Sequence, residues 1–162
     1  MTPPNLRHSV VHASFSIIRH WKASPARVFQ AFADEQKKKA WFGGGDAWEP
    51  LSHSFDFRVG GKEQEAGRFK QTGMVSRFDC IYLDIVEPSS NEEGRIIYSY
   101  VMHLDDRKIS ASQACIELKP DGSGTKFILT EYGDYLDGYD DNGSREQGTN
   151  LLMDTLAKSL GE

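Results

Sequence analysis

"SREQGTNLLMDTLAKSLG" (residues 144–161) is the one long stretch of helical spacing in this 162-residue chain. Ser144 and Gln147 fit a capping box, and Leu151, Leu152, Thr155, Leu156 and Leu160 recur at intervals that place them on one face. Working backwards from it, strand patterns follow one another. "TKFILTEY" (125–132) puts Phe127, Leu129 and Glu131 on one side, and "RKISASQACIELKP" (107–120) aligns Ser110, Ser112, Ala114 and Ile116. "RIIYSYVMHL" (95–104) is apolar on both faces, so the pattern leaves open whether Tyr98, Tyr100 and Met102 look inward. In "MVSRFDCIYLDIVEP" (74–88), Phe78 and Cys80 share one parity while Ile81, Leu83 and Ile85 share the other. That frame change predicts a β-bulge near Cys80.

Further upstream, "SHSFDFRV" (52–59) aligns Phe55, Phe57 and Val59 before a Gly60-Gly61 turn, and "KEQEAGRF" (62–69) reads as an exposed strand. "HSVVHASFSIIRH" (8–20) is a first strand. In "SPARVFQAFAD" (24–34), Ser24 is the N-cap of a helix, Pro25 fits its first position, and Val28, Phe29 and Phe32 form its apolar stripe. A second short helix over about 35–42 carries Lys37, Lys38 and Lys39 outward, as short charge runs usually do. The order is one strand, two short helices, six strands and a long C-terminal helix. It predicts a single α+β domain over residues 1–162, with a curved antiparallel sheet of about seven strands wrapped around that helix. Such a wrap leaves a cavity between sheet and helix.

The chain is long enough to bury a sizeable core. Its 19 Lys and Arg against 24 Asp and Glu give a net charge of −5, which disfavours nucleic acid or an anionic membrane as a partner. No stretch has signal-peptide or membrane-span character, and Cys80 and Cys115 lie far apart with no CxxC. Both features point to a cytoplasmic protein with reduced thiols.

The "WF" after the short helices, the "F.VGG" hairpin, "YLDIVEP", "GTKFILTEYG" and "LDGYDDNGSREQG" together resemble the Aha1-like proteins of the START/Bet v 1-like superfamily. The resemblance runs from about residue 12 to 160. It implies the helix-grip fold and the binding of small apolar or amphipathic molecules. The family is named for the activator of Hsp90 ATPase. That eukaryotic co-chaperone has an additional N-terminal domain to engage Hsp90, for which this length leaves no room, so contact with Hsp90 rests on the family name alone.

The glycines of "AWFGGGDAW" (40–48) lack the Lys-Ser/Thr of a phosphate loop and follow a helix where a dinucleotide fingerprint follows a strand. They read as a corner near the cavity mouth, with Trp41, Phe42 and Trp48 as an aromatic rim. Phe55, Phe57, Phe78, Phe127, Leu129, Met153 and Leu156 are expected to wall the cavity, and Ser112 and Glu131 to orient a ligand. Glu131 has two readings: a cavity carboxylate with a raised pKa, or a group that reaches water or pairs with Arg145. Ser110 and Ser112 equally fit a role in packing. His8, His12, His20, His53 and His103 show no metal spacing, no nucleophile motif appears, and "DGYDDNGS" (137–144) does not fit a calcium loop. No cofactor or metal is expected. The leading expectation is a binding protein. An enzyme of cyclase, aromatase or hydrolase type would need a His or Tyr beside Glu131, and a protein-interaction module would replace the cavity with a filled core and an exposed apolar patch.

Overall fold

The computed structural model describes residues 8–43, 45–139 and 142–162. These form seven strands: β1 (Val10–Trp21), β2 (Trp48–Phe55), β3 (Lys62–Phe69), β4 (Val75–Val86), β5 (Gly94–Leu104), β6 (Arg107–Asp121) and β7 (Gly124–Leu136). They make one antiparallel sheet in the order β1-β7-β6-β5-β4-β3-β2. Helices α1 (Pro25–Ala33) and α2 (Glu35–Lys39) carry the chain from the β1 edge to the opposite edge at β2, and α3 (Asn142–Ser159) lies against the inner face. This is the helix-grip arrangement. Among the described residues, no helix is long and apolar enough to cross a membrane.

Alternation explains the core. Phe127 and Leu129 of β7, Ile116 and Leu118 of β6 and Ile17 of β1 are buried on the inner face, where α3 adds Met153 and Leu156 and the turn after it adds Leu160. At one end Phe127 meets Trp21 at 4.7 Å and Phe32 at 6.1 Å. The Ser24 hydroxyl caps α1 through the Arg27 N–H, and Pro25 occupies its first turn.

Several local expectations change. The β4 irregularity falls at Leu83, between Tyr82 and Asp84, so Phe78, Cys80 and Tyr82 stay inward and the frame switches three residues later than Cys80. β2 ends at Phe55, leaving Val59 exposed. α3 begins at Asn142, so Ser144 lies within the helix and not at its cap. Leu151 is 62% exposed and Thr155 is also exposed. The buried stripe is Met153, Leu156 and Leu160, because the N-terminal half of α3 stands off the sheet and borders open space.

The largest correction concerns charge. Lys38 of α2 is only 7% exposed and Glu63 of β3 only 1%, although both were expected on the surface. Lys38 Nζ lies 2.6 Å from Glu63 Oε1, and the Tyr82 hydroxyl donates to the same oxygen. The ammonium also sits 4.6 Å from the centre of the Phe42 ring. Burial, then the Glu63 charge, raises the Tyr82 hydroxyl pKa, and burial pushes the Cys80 thiol up to about 12. This pair anchors a five-residue helix, too short to hold itself, to β3, one strand in from the sheet edge.

Removing one partner strands the other. Lys38→Met is expected to cost about 3–5 kcal/mol in urea unfolding. Lys38→Met with Glu63→Leu should recover most of that loss. Equal destabilisation by the single and double variants would show that the ion pair is not what holds α2.

Candidate functional site

A cavity of about 700 Å³ lies between the N-terminal half of α3, the inner sheet face and the corner after α2. That volume falls within the range of about 300–1,000 Å³ usual for small-molecule sites. The sheet contributes Phe78, Tyr98, Tyr100, Met102, Leu129 and Glu131, and α3 contributes Arg145, Thr149, Leu152 and Met153. Trp41, Phe42 and Trp48 close the third side. The exposed lining residues Ala40, Gly45, Phe69, Leu151 and Thr155 mark its mouth. A shallower depression of about 1160 Å³ on the outer face is lined largely by small and polar residues such as Ser14, Ser54, Ser99 and Ala111. It offers no comparable apolar wall.

Glycines shape the mouth. Gly43 and Gly45 have φ of 135° and 63°, a corner other residues adopt only with strain. A Cβ on Gly67 would lie 2.0 Å from the Trp48 indole, so Gly67 is the flat floor on which that ring rests. Phe69 meets Trp48 edge-on at 5.0 Å. The buried indole N–H of Trp48 has no hydrogen bond among the described residues.

One wall is polar. Glu131 is 4% exposed, and its Oε2 accepts a hydrogen bond from the Tyr100 hydroxyl at 2.7 Å. Arg145 Nη1 lies 3.6 Å from the same oxygen and donates to Tyr100 Oη at 3.0 Å and Ser112 Oγ at 3.4 Å. Arg145 Nη2 donates to Ser110 Oγ at 2.8 Å. The register places these groups: Tyr100 pairs with Ser112, and Glu131 with Ala114, so small β6 side chains leave room for the guanidinium. Burial raises the Glu131 pKa, with Tyr100 and Arg145 opposing it. Burial, then Glu131, raises that of Tyr100. For Arg145, burial acts downward, but Tyr100, Glu131 and Tyr135 outweigh it and the net shift is upward. The assembly is a carboxylate, a phenol and a guanidinium sharing protons beside an apolar space.

Of the residues singled out in the sequence, Trp41, Phe42, Trp48, Phe78, Leu129, Glu131 and Met153 line this cavity. Trp41 is its base rather than its rim, buried with its indole N–H on Ala31 O at 2.9 Å. Ser112 sits behind the Arg145 guanidinium. Phe127 and Leu156 are fully buried in the adjoining core. Phe55 and Phe57 belong to a separate aromatic group, with Phe57 edge-on to Phe29 at 5.6 Å and to Tyr82 at 4.9 Å. Sequence reasoning left the side of Tyr98, Tyr100 and Met102 undecided, did not single out Phe69, and placed Leu152 on the helix stripe without assigning it to the cavity. Among the described residues, no group of His, Cys, Asp or Glu is arranged to hold a metal ion. The middle glycine of the corner, Gly44, and Asp140 and Asp141 of "DGYDDNGS" lie outside the described residues.

A curved sheet gripping one helix across a lined cavity defines the START/Bet v 1-like class. Within it, the family model described as Activator of Hsp90 ATPase homolog 1-like protein matches residues 22–161, and this chain belongs to that family. A comparison with curated proteins finds no match. Among solved structures, a protein from Rhizobium loti is 40% identical, with a TM-score of 0.84 over 94% of this chain and 99% of that one. A protein from Rhizobium leguminosarum is 39% identical, with a TM-score of 0.87 over 95% and 97%. The AHSA1-like protein from Aeromonas hydrophila, at 17% identity and a TM-score of 0.67 over 92% of each chain, shares the fold.

The raised Glu131 pKa has a consequence for stability. A carboxyl that holds its proton more tightly folded than unfolded contributes fully below its ordinary value of 4.5, and loses that contribution as pH rises through the folded value. Glu131→Gln removes the titration. The Tm of the unaltered protein relative to Glu131→Gln should therefore fall with rising pH from about 4.5 and then level off. A difference independent of pH would show that Glu131 is not perturbed.

Proposed function

We propose that this chain is a single-domain cytoplasmic protein that binds a small hydrophobic or amphipathic molecule between α3 and the sheet. The observation that carries this reading is the cavity of about 700 Å³ itself, with aromatic walls and one buried polar group set. Trp41, Phe42, Trp48, Phe78, Leu129 and Met153 would supply apolar contact, and Glu131 the polar one. Phe127, Leu156 and Ser112 support those walls from behind. Apolar burial would drive binding at about 25 cal/mol per Å², less the cost of immobilising the ligand. An Hsp90-directed role has the family's name behind it, whereas an open cavity favours the small-molecule role.

One observation supports a second reading, an acid–base enzyme: Tyr100 lies within hydrogen-bond reach of Glu131. On that reading Glu131, held in place by Tyr100, would take a proton α to a carbonyl whose oxygen Arg145 stabilises. Exchange of the α-protons of α-tetralone in D2O, followed by NMR, should then be accelerated by the protein and not by Glu131→Gln. Equal exchange with both proteins would dismiss it.

Fluorescence of N-phenylnaphthylamine, a neutral apolar probe, tests the binding reading directly. Saturable enhancement is expected with a dissociation constant on the order of micromolar. Met153→Trp, which fills the cavity, should reduce affinity by at least about tenfold. Native mass spectrometry and organic extraction of freshly purified protein would identify a retained ligand. If the probe does not bind, and a broad apolar library leaves Tm unchanged, the cavity is not a ligand site.

A further inference from the structure

The hydrogen-bond inventory of the polar wall restricts what can occupy the cavity. Tyr100 has a single proton, and it is committed to Glu131 Oε2. Arg145 has five N–H groups, of which three are engaged by Tyr100, Ser112 and Ser110. Among the described residues, no group donates to the other Glu131 oxygen, Oε1. Counted among the described residues, the wall thus retains an uncommitted acceptor on Glu131 and two uncommitted N–H groups on Arg145, and both residues line the cavity.

The charges matter as much as the atoms. Glu131 and Arg145 cancel each other at 3.6 Å. The other ionised lining groups already have partners: Lys38 has Glu63 at 2.6 Å, Lys39 has Glu35 at 3.6 Å and Glu65 has His53 at 2.6 Å. An incoming anion would gain Arg145 but would be placed against the Glu131 carboxylate. An incoming cation would meet the reverse. Each would give up its hydration for a wall with no net opposite charge. A neutral group that both donates and accepts can satisfy Glu131 Oε1 and an Arg145 N–H while losing little.

We propose that the occupant is a neutral amphiphile whose head group both donates and accepts a hydrogen bond, an alcohol or primary amide, on a bulky apolar body. This inference rests on the binding reading above and assigns the ligand class of the same site.

The test is a matched series substituted at one ring position: methylnaphthalene, naphthylmethanol, naphthoate and naphthylmethylammonium. Each competes with N-phenylnaphthylamine at neutral pH. Naphthylmethanol should bind at least about tenfold more tightly than either ion, and more tightly than methylnaphthalene. In Glu131→Gln, Arg145 loses its counter-charge, so naphthoate should gain on the order of a hundredfold and overtake the alcohol. In Arg145→Gln the ammonium should gain instead. If either ion outranks the alcohol in the unaltered protein, or if neither variant reorders the series, the head-group assignment is overturned while the cavity reading stands. If no member displaces the probe, methylnaphthalene included, the cavity reading fails and this assignment with it.

Discussion

A strongly curved sheet has an inner face that water must not wet, and one helix is too narrow to cover all of it. Most of this structure follows from that constraint. The C-terminal half of α3 and the turn after it meet the constraint with Met153, Leu156 and Leu160, which close on Phe127, Leu129 and Ile116. Its N-terminal half stands over a wider part of the sheet, where the space is lined instead by aromatics and a polar group set. The cavity is thus the remainder of a packing problem. Close packing is the rule for protein interiors, so a remainder of this size marks a place where something other than protein is accommodated.

The two buried charge clusters are alike in chemistry but differ in setting. Lys38, Glu63 and Tyr82 join α2 to β3 and β4. Removing this cluster would detach the corner that carries Trp41 and Phe42. Glu131, Tyr100 and Arg145 join α3 to β5 and β7, and all three line the cavity. A buried ion pair seldom improves stability over apolar packing. The first cluster has a positional role that offsets its desolvation, holding a short helix in place. The second also faces space large enough for a ligand, and the functional proposal is attached to it for that reason.

Much of the fold could be read from residue spacing: the order of the elements, the Ser24-Pro25 helix start, and the inward side of Phe127, Leu129 and Glu131. Two extra residues reset alternation, one displacing the bulge expected near Cys80 and one deciding the side of Tyr100 that the sequence left open. The β5–β6 hairpin turns at Asp105–Asp106, which would pair Tyr100 with Ala111 if the ladder ran straight. Ile109 is the extra residue, and it moves Tyr100 opposite Ser112. Ile109 and Ser110 are consequently buried in succession. Leu83 does the same in β4. Such bulges bend a sheet, and their positions depend on how neighbouring strands pair. A sheet apolar on both sides, as at β5, gives no local signal of the shift.

By itself the sequence determined the topology class and the inward side of Glu131, because these depend on period and order along the chain. Only the tertiary structure decided that Lys38 is buried with Glu63, that Tyr100 faces inward, and that Arg145 completes the Glu131 cluster. Lys38 and Glu63 are 25 positions apart, Tyr100 and Glu131 31, and Arg145 reaches Tyr100 across 45. A lysine run reads as a solvated surface until a carboxylate from another strand is brought within 2.6 Å of one member. The difference is physical: alternation is a property of one strand, whereas the cost of burying a charge is settled by the partner that folding brings to it.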